Sequence, residues 1–442
     1  MRLVTTRRTY LAGALALLLM VMVFPAAAGA ATKKAGDRAK QTRNSIFIDE
    51  VKDFNPANGV RAGSGTAADP FVISNWDVST VEIKDTDAHV VIRDNVVDRL
   101  VLDWIGGGIE VRNNEIGDLR VNQNRARKGD PTSGVIENNS FGVVGQLRHF
   151  DGIFQNNVVG AKGGMKIPFF TDNRAVNFDG FNGSIFRNNT IYGYMDARLH
   201  GHHHSSGFSE DSHYHGDAPE AHADHGAMDH TERYHQVHIY GNKIYADWYY
   251  ALAYLDTAHA GNDRTAASET EKTLNNPHIH YTRVFMHDNE LYGAGLYVDV
   301  FNAKDERHKA TARGLMEISD NKIVLHNTED VSQRFSTRNG IDIYQAQDIT
   351  LRVLDNTITG PDTGDALSTL TGEADVAGIN LWNIDKGDLF LSGNAVTRAA
   401  YGIKAYRMTK TVNWTIAELV TNEVAQDVYW DSSVENPPER RG

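Results

Sequence analysis

A short repeated pattern places the strongest constraint on how this chain of 442 residues can fold. Its template is an apolar residue, two variable residues, an asparagine, one variable residue and another apolar residue. Asparagine suits a turn because it tolerates a left-handed backbone and can hydrogen-bond neighbouring main chain. The asparagine of the pattern falls at Asn75, Asn95, Asn114, Asn139, Asn157, Asn189, Asn242, Asn289, Asn321, Asn356, Asn394 and Asn422.

The spacing of these asparagines predicts strands that stack without helical crossovers. The interval is 19 residues from Asn95 to Asn114 and 28 residues from Asn394 to Asn422, and the wider intervals contain insertions. Units of this length are too short for a general βαβ crossover, and apolar residues alternate with polar ones. We therefore expect an all-β fold, a single-stranded right-handed parallel β-helix with long loop insertions and strands about 4.8 Å apart.

The repeat resembles that of the right-handed parallel β-helix superfamily, the pectin-lyase-like proteins. This superfamily includes pectate lyases, polygalacturonases and the periplasmic nitrous-oxide-reductase accessory proteins, which are tied to copper-site assembly. The segment GSGTAADPFVISNWDV is most similar to the first turn of the accessory proteins, and the likeness covers residues 60–430. It implies the fold but says little about function, because this scaffold hosts lyases, hydrolases, adhesins and non-enzymes.

The ends of the chain predict export and a capped solenoid. Residues 1–30 have a basic start, an apolar run and small residues at Ala28–Ala30, as in a secretory signal peptide, and Arg7-Arg8 resembles a twin-arginine signal. An uncleaved anchor is the alternative, although the apolar run is shorter than the ~20 residues of a membrane span. We expect a periplasmic or extracellular protein with no transmembrane span in the mature chain. The expected divisions are a signal peptide at 1–30, a polar lead and N-terminal cap at 31–65, the β-helix at 66–431, insertions at 200–235 and 257–277, and a C-terminal tail at 432–442.

Net charge and cysteine content limit the classes of partner and the kinds of metal ligand that this chain can have. The formal net charge is -13 and the chain has no cysteine. An acidic surface repels phosphate backbones, so nucleic acid is excluded as a partner. Without thiolates, any bound metal must use nitrogen and oxygen ligands.

A second strand can be aligned between successive turns and predicts two outward columns of side chains. The aligned triplets place Asp196, Asp256 and Asp299 in one column, followed by Tyr344, Trp382, Tyr406 and Asp431. Like charges on adjacent strands would repel by roughly 3–4 kcal/mol at an effective dielectric of about 20, so a cation or a basic residue must relieve them. Lys166, Arg198 and Lys304 are the basic candidates. The other column contains Tyr194, Tyr254, Tyr297, Asp342, Asn380, Lys404 and Tyr429.

Both columns have ordinary alternatives. The aspartates could be solvated surface residues whose side chains diverge. The aromatic residues could reflect β-strand propensity on a solvent face, or could form a platform on which sugar rings stack.

A histidine-rich insertion follows the first of these strands. Residues 200–238, which include this insertion, contain 11 of the 19 histidines, interspersed with aspartate and glutamate, and small polar residues dominate the insertion. Imidazole and carboxylate together suit Zn, Cu or Ni, although no HExxH motif is present. The alternative is a merely solvated loop. The predicted metal ligands are Asp196, His200, His202, His203, His204, His213, His215, His222, His225, His230, Asp256, His259 and Asp299.

Three functions follow from these features. The first is an exported protein that binds a divalent transition metal for storage, delivery or metallo-site assembly. The second is a cation-dependent lyase or a glycoside hydrolase that acts on an acidic polysaccharide. Its predicted residues are Lys166 or Arg198 as base, the aspartates as Ca²⁺ ligands, and Tyr297, Asp342, Tyr344, Trp382 and Tyr406 as carbohydrate-binding side chains. The WxDH and RxPxxR motifs of pectate lyases are absent, and a structural surface protein is the third possibility.

Overall fold

The computed structural model contains thirty β-strands and two short 3-10 helices among the residues that it describes. No helix among them is long and apolar enough to cross a membrane. The described residues are 40–122, 134–150, 152–160, 174–180, 184–199, 233–246, 250–258, 279–302, 311–325, 339–361, 376–409, 412–435 and 437.

The chain winds through successive turns whose strands pair in parallel with the equivalent strands of the next turn, so the described residues form a parallel β-helix. The expected all-β fold class is confirmed. One face, here called the first face, consists of β2 (Phe71–Ser74), β4 (Val90–Arg93), β6 (Ile109–Arg112), β8 (Gly134–Glu137), β10 (Ile153–Gln155), β13 (Ser184–Arg187), β16 (Arg233–Tyr240), β19 (Ile279–His287), β22 (Thr311–Ser319), the second half of β24 (Ile341–Leu354), β27 (Ile384–Ser392) and β29 (Val412–Ala417).

In the first and last turns, the rest of the turn is one long strand. In the middle turns it is divided into two shorter strands. The long strands are β1 (Gln41–Ile48), β3 (Trp76–Thr86), β5 (Val96–Ile105), β7 (Glu115–Asn122), β9 (Ser140–Phe150), β28 (Ala395–Tyr406) and β30 (Val420–Trp430). In the middle turns the second face contains β11 (Val158–Val159), β14 (Thr190–Tyr192), β17 (Lys243–Tyr245), β20 (Glu290–Gly293), β23 (Lys322–Leu325) and β25 (Thr357–Thr359). The third face contains β12 (Arg174–Gly180), β15 (Tyr194–Leu199), β18 (Tyr250–Ala258), β21 (Gly295–Asn302), the first half of β24, β26 (Ala377–Trp382) and the ends of β28 and β30.

A file of hydrogen-bonded asparagines, here called the Asn corner, joins the first face to the second. The main-chain N–H and the side-chain Nδ2 of each asparagine donate to Oδ1 of the next one, at 2.9–3.2 Å. Nδ2 also donates to a main-chain carbonyl of the preceding turn, so the main-chain and side-chain donors of each member before the last, Asn394, are satisfied. Its members are Asn95, Asn114, Asn139, Asn157, Asn189, Asn242, Asn289, Asn321, Asn356 and Asn394.

Two predicted members lie outside the Asn corner. In the first turn Trp76 occupies the position of the corner asparagine, because its main-chain N–H donates to Asn95 Oδ1 at 3.0 Å. Asn75 precedes it, with a φ of 59°. In the last turn Asn422 is exposed and pairs with Thr397. The expected left-handed backbone also lies one residue earlier than predicted, at residues such as Asp94 (φ 59°), because that residue turns the chain while the asparagine bonds along the axis.

The interior is filled by apolar side chains that alternate with outward ones along each strand. Phe154 stacks on Phe186 with ring centroids 4.7 Å apart, and Phe178 packs against Phe186 at 5.4 Å. Stacked inward residues give one continuous core along the axis. Each turn therefore depends on its neighbours for burial.

At the N-terminal end, β1 lies within the residues predicted as the polar lead and cap, and it pairs with β3. Two 3-10 helices follow, η1 (Val51–Asp53) and η2 (Pro56–Asn58). Phe54 between them stacks on Phe71 at 4.3 Å, which covers the core of the first turn.

Candidate functional site

Three adjacent strands of the third face end at the points where insertions begin. β15 ends at Leu199, β18 at Ala258 and β21 at Asn302. Ala258 is directly opposite Asn302 in the pairing of β18 with β21. Because parallel strands point the same way, the insertions leave from one edge of the third face, as expected from the sequence.

The predicted ligands of the insertions lie outside the described residues, as does one proposed base. For Arg198 and Asp256 the structure describes the main chain only. The predicted residues outside the described part are Lys166, His200, His202, His203, His204, His213, His215, His222, His225, His230 and His259.

The predicted column of three aspartates is wrong. Asp196 is opposite Ala253, which is opposite Tyr297. Asp299 is instead opposite Leu255, and Asp256 is opposite Val300, so these two aspartates are one register position apart. The sequence alignment matched similar triplets, but Tyr254 is opposite Ala197 on one side and Val298 on the other, so its triplet is out of register with both neighbouring strands.

Asp196 has a basic partner that sequence reasoning missed. Nη1 of Arg174 lies 3.1 Å from Oδ2 of Asp196, and the Asp196 side chain is only 8% exposed. A charge-assisted bond of this kind compensates the burial of the carboxylate. The predicted partners Lys166, Arg198 and Lys304 gave no hint of it, because Arg174 lies on the preceding strand of the third face. Asp196 is therefore tied to its neighbouring strand.

Asp299 is in a different electrostatic state. Its Oδ1 is buried and has no hydrogen-bond partner among the described residues, while the Tyr297 hydroxyl lies 3.5 Å from Oδ2. Burial raises the pKa of the Asp299 carboxyl, and the Tyr297 hydroxyl opposes this only in part. Burial, followed by the charge of Asp299, raises the pKa of Tyr297 as well. A carboxylate oxygen without a partner at this edge is suited to accept a cation or a donor.

Further along the third face, the second predicted column was aligned correctly from Tyr297 onward, whereas its earlier members Tyr194 and Tyr254 are out of register, because Tyr297 is opposite Ala253 and Ala253 is opposite Asp196. Tyr297, Asp342, Asn380, Lys404 and Tyr429 occupy equivalent positions on successive strands. Side chains that point outward on a solvent face would be exposed. Two members of this column are buried instead, with Asp342 3% exposed and Asn380 6% exposed.

Amide groups hold the Asp342 carboxylate. Asn380 Nδ2 donates to Oδ1 of Asp342 at 2.9 Å, and Asn339 Nδ2 donates to Oδ2 at 3.1 Å. The Asn339 amide also accepts a bond from the main-chain N–H of Ala377 at 2.9 Å. Asp342 therefore joins neighbouring turns through hydrogen bonds.

An aromatic file runs along the same face. The ring centroids of consecutive members lie 4.5–6.2 Å apart. Four of the predicted carbohydrate-binding side chains belong to it, and the fifth, Asp342, lies beside it. Sequence reasoning missed the first ring because it aligned Tyr254 in its place. The file consists of Tyr250, Tyr297, Tyr344, Trp382, Tyr406 and Tyr429.

Cations flank the later part of this aromatic file. Lys404 Nζ lies 5.1 Å from the centroid of the Tyr406 ring, and the Arg407 guanidinium lies 5.3 Å from that of Trp382. The neighbouring rings stack or tilt against one another, so their faces are partly covered.

Among the side chains that the structure describes, no group of three or more histidines, aspartates or glutamates could hold a metal ion. The described part of the site therefore offers single carboxylates, above all Asp299, rather than a complete ligand set. A comparison of the chain with protein-family models, curated proteins and solved structures found no match.

Proposed function

We propose that this is an exported protein that binds a divalent transition metal, Zn, Cu or Ni, through its histidine-rich insertion at the edge of the third face. The observation that supports the proposal is that β15, β18 and β21 end at one edge of the third face, since the histidine-rich insertion follows β15 in the sequence and Asp256 and Asp299 lie on the next two strands. The biological role is storage, delivery or assistance in metallo-site assembly.

The donor chemistry supports a transition metal. Eleven histidines lie between His200 and His238, and the chain has no cysteine, so imidazole and carboxylate are the available ligands. The Asp299 oxygen that lacks a partner fits this set, whereas Asp196 is already bonded by Arg174. Copper is the favoured metal if the resemblance of residues 63–78 to the nitrous-oxide-reductase accessory proteins extends to function.

Metal binding is tested on the exported protein by elemental analysis and by titration with Zn²⁺ and Cu²⁺. We expect about one or more ions per chain, and loss of binding when residues 200–232 are replaced by a short Gly-Ser linker. A matched control replaces residues 362–375, which connect β25 to β26, and should leave binding unchanged. Equal binding by both variants would contradict the proposal.

Polysaccharide binding is the second candidate, favoured by the aromatic file and by the cations beside it. An acidic polymer would place its carboxylates near Lys404 and Arg407. In a lyase, Ca²⁺ would be the cofactor and Lys166 or Arg198 the base. The test measures retention on polygalacturonate and release of unsaturated product. The variant is Trp382→Ala, and the control is Tyr245→Ala, which removes a stacked ring on the second face. If neither wild-type signal is detected, this candidate fails.

A further inference from the structure

The last turn of the β-helix leaves its part of the core open. Trp414, Ile416, Val424, Val428 and Trp430 occupy inward positions but are only partly buried. Their counterparts one turn earlier are 0–5% exposed, and these are Leu389, Leu391, Ala399, Ile403 and Ala405. Apolar surface of this kind at the end of a solenoid requires a cover.

Among the described residues, the large apolar side chains that are more than half exposed lie at the two ends of the β-helix. Phe47 is 59% exposed and Val51 is 52% exposed at the N-terminal end, and Val420 is 62% exposed at the C-terminal end. Both end strands also have an unpaired edge among the described strands, because β1 pairs with β3 alone and β30 with β28 alone. A long edge strand is a template for another strand.

The two end strands and the residues next to them carry opposite charge. Residues 40–48 contain Lys40 and Arg43 and no acid, although Asp49, Glu50, Lys52 and Asp53 follow them, whereas residues 417–435 contain five acids and no lysine or arginine. The acids are Glu418, Glu423, Asp427, Asp431 and Glu435. Two β30 edges would repel each other, but a β30 edge and a β1 edge attract.

We propose that a second copy of this chain covers the open end, with its β1 added in parallel to β30, so that the sheet that ends in β30 continues from one molecule into the next. The register of the Asn corner tests this geometry. Gln41 is opposite Trp76, the first member of that column, and Leu419 follows Asn394 in it. Stacking in the same register therefore places Lys40 opposite Glu418, with Arg43 close to Glu423.

This contact joins two different surfaces, so it does not close into a dimer and can extend further. Parallel addition satisfies the unpaired backbone groups of both edges, while the apolar side chains at the ends are removed from water. The charges select head-to-tail association over tail-to-tail association. Association should therefore increase with protein concentration and decrease with salt.

The experiment measures molar mass by light scattering and sedimentation velocity on the exported protein. One variant carries Glu418→Lys and Glu423→Lys, and the other carries Lys40→Glu and Arg43→Glu. Each alone should associate at least about tenfold more weakly than wild type, because the residues that would face each other, 40 and 43 on one copy and 418 and 423 on the other, now have like charges. A mixture of the two variants should regain association, since each end of one again meets an opposite end of the other.

A matched control carries Asp98→Lys and Glu115→Lys, which change the net charge equally at exposed positions on the second face. It should associate like wild type. The proposal is overturned if wild type stays monomeric at all concentrations, if it stops at a closed dimer, or if the mixed variants do not regain association.

Discussion

The Asn corner and the third face consist of the same successive turns, yet they keep their register in different ways. At the Asn corner each asparagine is bonded to the next by two hydrogen bonds, from Asn95 to Asn394. On the third face the pairing shifts between Arg174 and Val176, between Tyr250 and Leu252, and between Val298 and Asp299. The regular hydrogen bonds along the axis therefore keep the asparagines of the Asn corner in register. On the third face, the irregular pairings shift the register from one strand to the next.

The connections before each column explain the difference. The residue before each Asn-corner asparagine has a left-handed backbone, for example Asn188 with φ of 55°, so the turn has one fixed geometry. The third-face strands instead follow connections of very different length, from Gly193 alone between β14 and β15 to residues 326–340 between β23 and β24. A register shift of one residue moves a side chain to the other face.

The largest effect is expected when an asparagine is removed from the middle of the Asn corner. Asn242→Ala deprives the buried main-chain N–H of Asn189 and the carbonyl of Phe186 of their bonds. Because each unsatisfied buried group costs about 1–3 kcal/mol, we expect the free energy of unfolding to fall by about 3 kcal/mol. Urea unfolding followed by circular dichroism measures this.

Asn422→Ala is the matched control, because Asn422 fits the sequence pattern but is exposed outside the Asn corner. We expect a change within about 0.5 kcal/mol. Equal losses in the two variants would show that hydrogen bonds along the axis do not set the stability of the corner.

On the third face, a smaller loss is expected from Arg174→Ala. The Asp196 carboxylate is 8% exposed in the ion pair, so removing Arg174 leaves a buried charge less compensated. We expect a loss of about 2 kcal/mol, much of it recovered in the double variant with Asp196→Asn. Arg99→Ala is the control, since Arg99 is half exposed and lies 3.9 Å from Asp118, and it should cost less than about 1 kcal/mol. A loss no larger than that of the control would contradict the role given to Arg174.

The fold and the strand register in the later part of the third face could be predicted from the sequence. The relative positions of Asp196, Asp256 and Asp299 could not. Asn95 to Asn394 share a pattern because each makes the same bonds, and Asp342, Asn380 and Lys404 align because their strands pair without a shift. Asp196 and Asp299 precede insertions and irregular pairings, where matching letters do not imply matching positions. The Arg174–Asp196 pair could not be predicted, because it depends on how residues 174–180 pair with two strands.

A pH-dependent effect should separate Asp299 from the other carboxylates. Burial raises the folded-state pKa of Asp299, so the folded protein binds its proton more tightly than the unfolded chain. Stability should therefore fall as the pH rises from the ordinary aspartate pKa through the raised one, and remain lower above it. Asp299→Asn should remove this decrease and stabilise the protein slightly at neutral pH, as measured by urea midpoints from pH 3 to 8.

Asp431 provides the opposite control. Hydrogen bonds from Ser433 lower its pKa, so its contribution is present above the ordinary aspartate pKa and is lost as the pH falls through the lowered one. Asp431→Asn should therefore weaken the protein slightly at neutral pH. If both variants shift the midpoint in the same direction, burial is not what distinguishes Asp299.

The smallest effect is expected on the first face, at His238. Its ring stacks on Phe285 at 4.8 Å, and burial, followed by the charge of His287, lowers the pKa of His238. The unfolded chain then takes up the proton first as the pH falls below the ordinary histidine value, so stability falls until the lowered folded-state pKa is reached. His238→Gln should remove this part of the slope between pH 7 and 5, whereas Ile185→Val, opposite it on β13, should leave the slope unchanged. The neighbouring strands of the first face keep their register at this position, so the stacking of His238 does not depend on an irregular pairing. If His238→Gln leaves the pH dependence of stability unchanged, the stacked ring is as well solvated in the folded protein as in the unfolded chain.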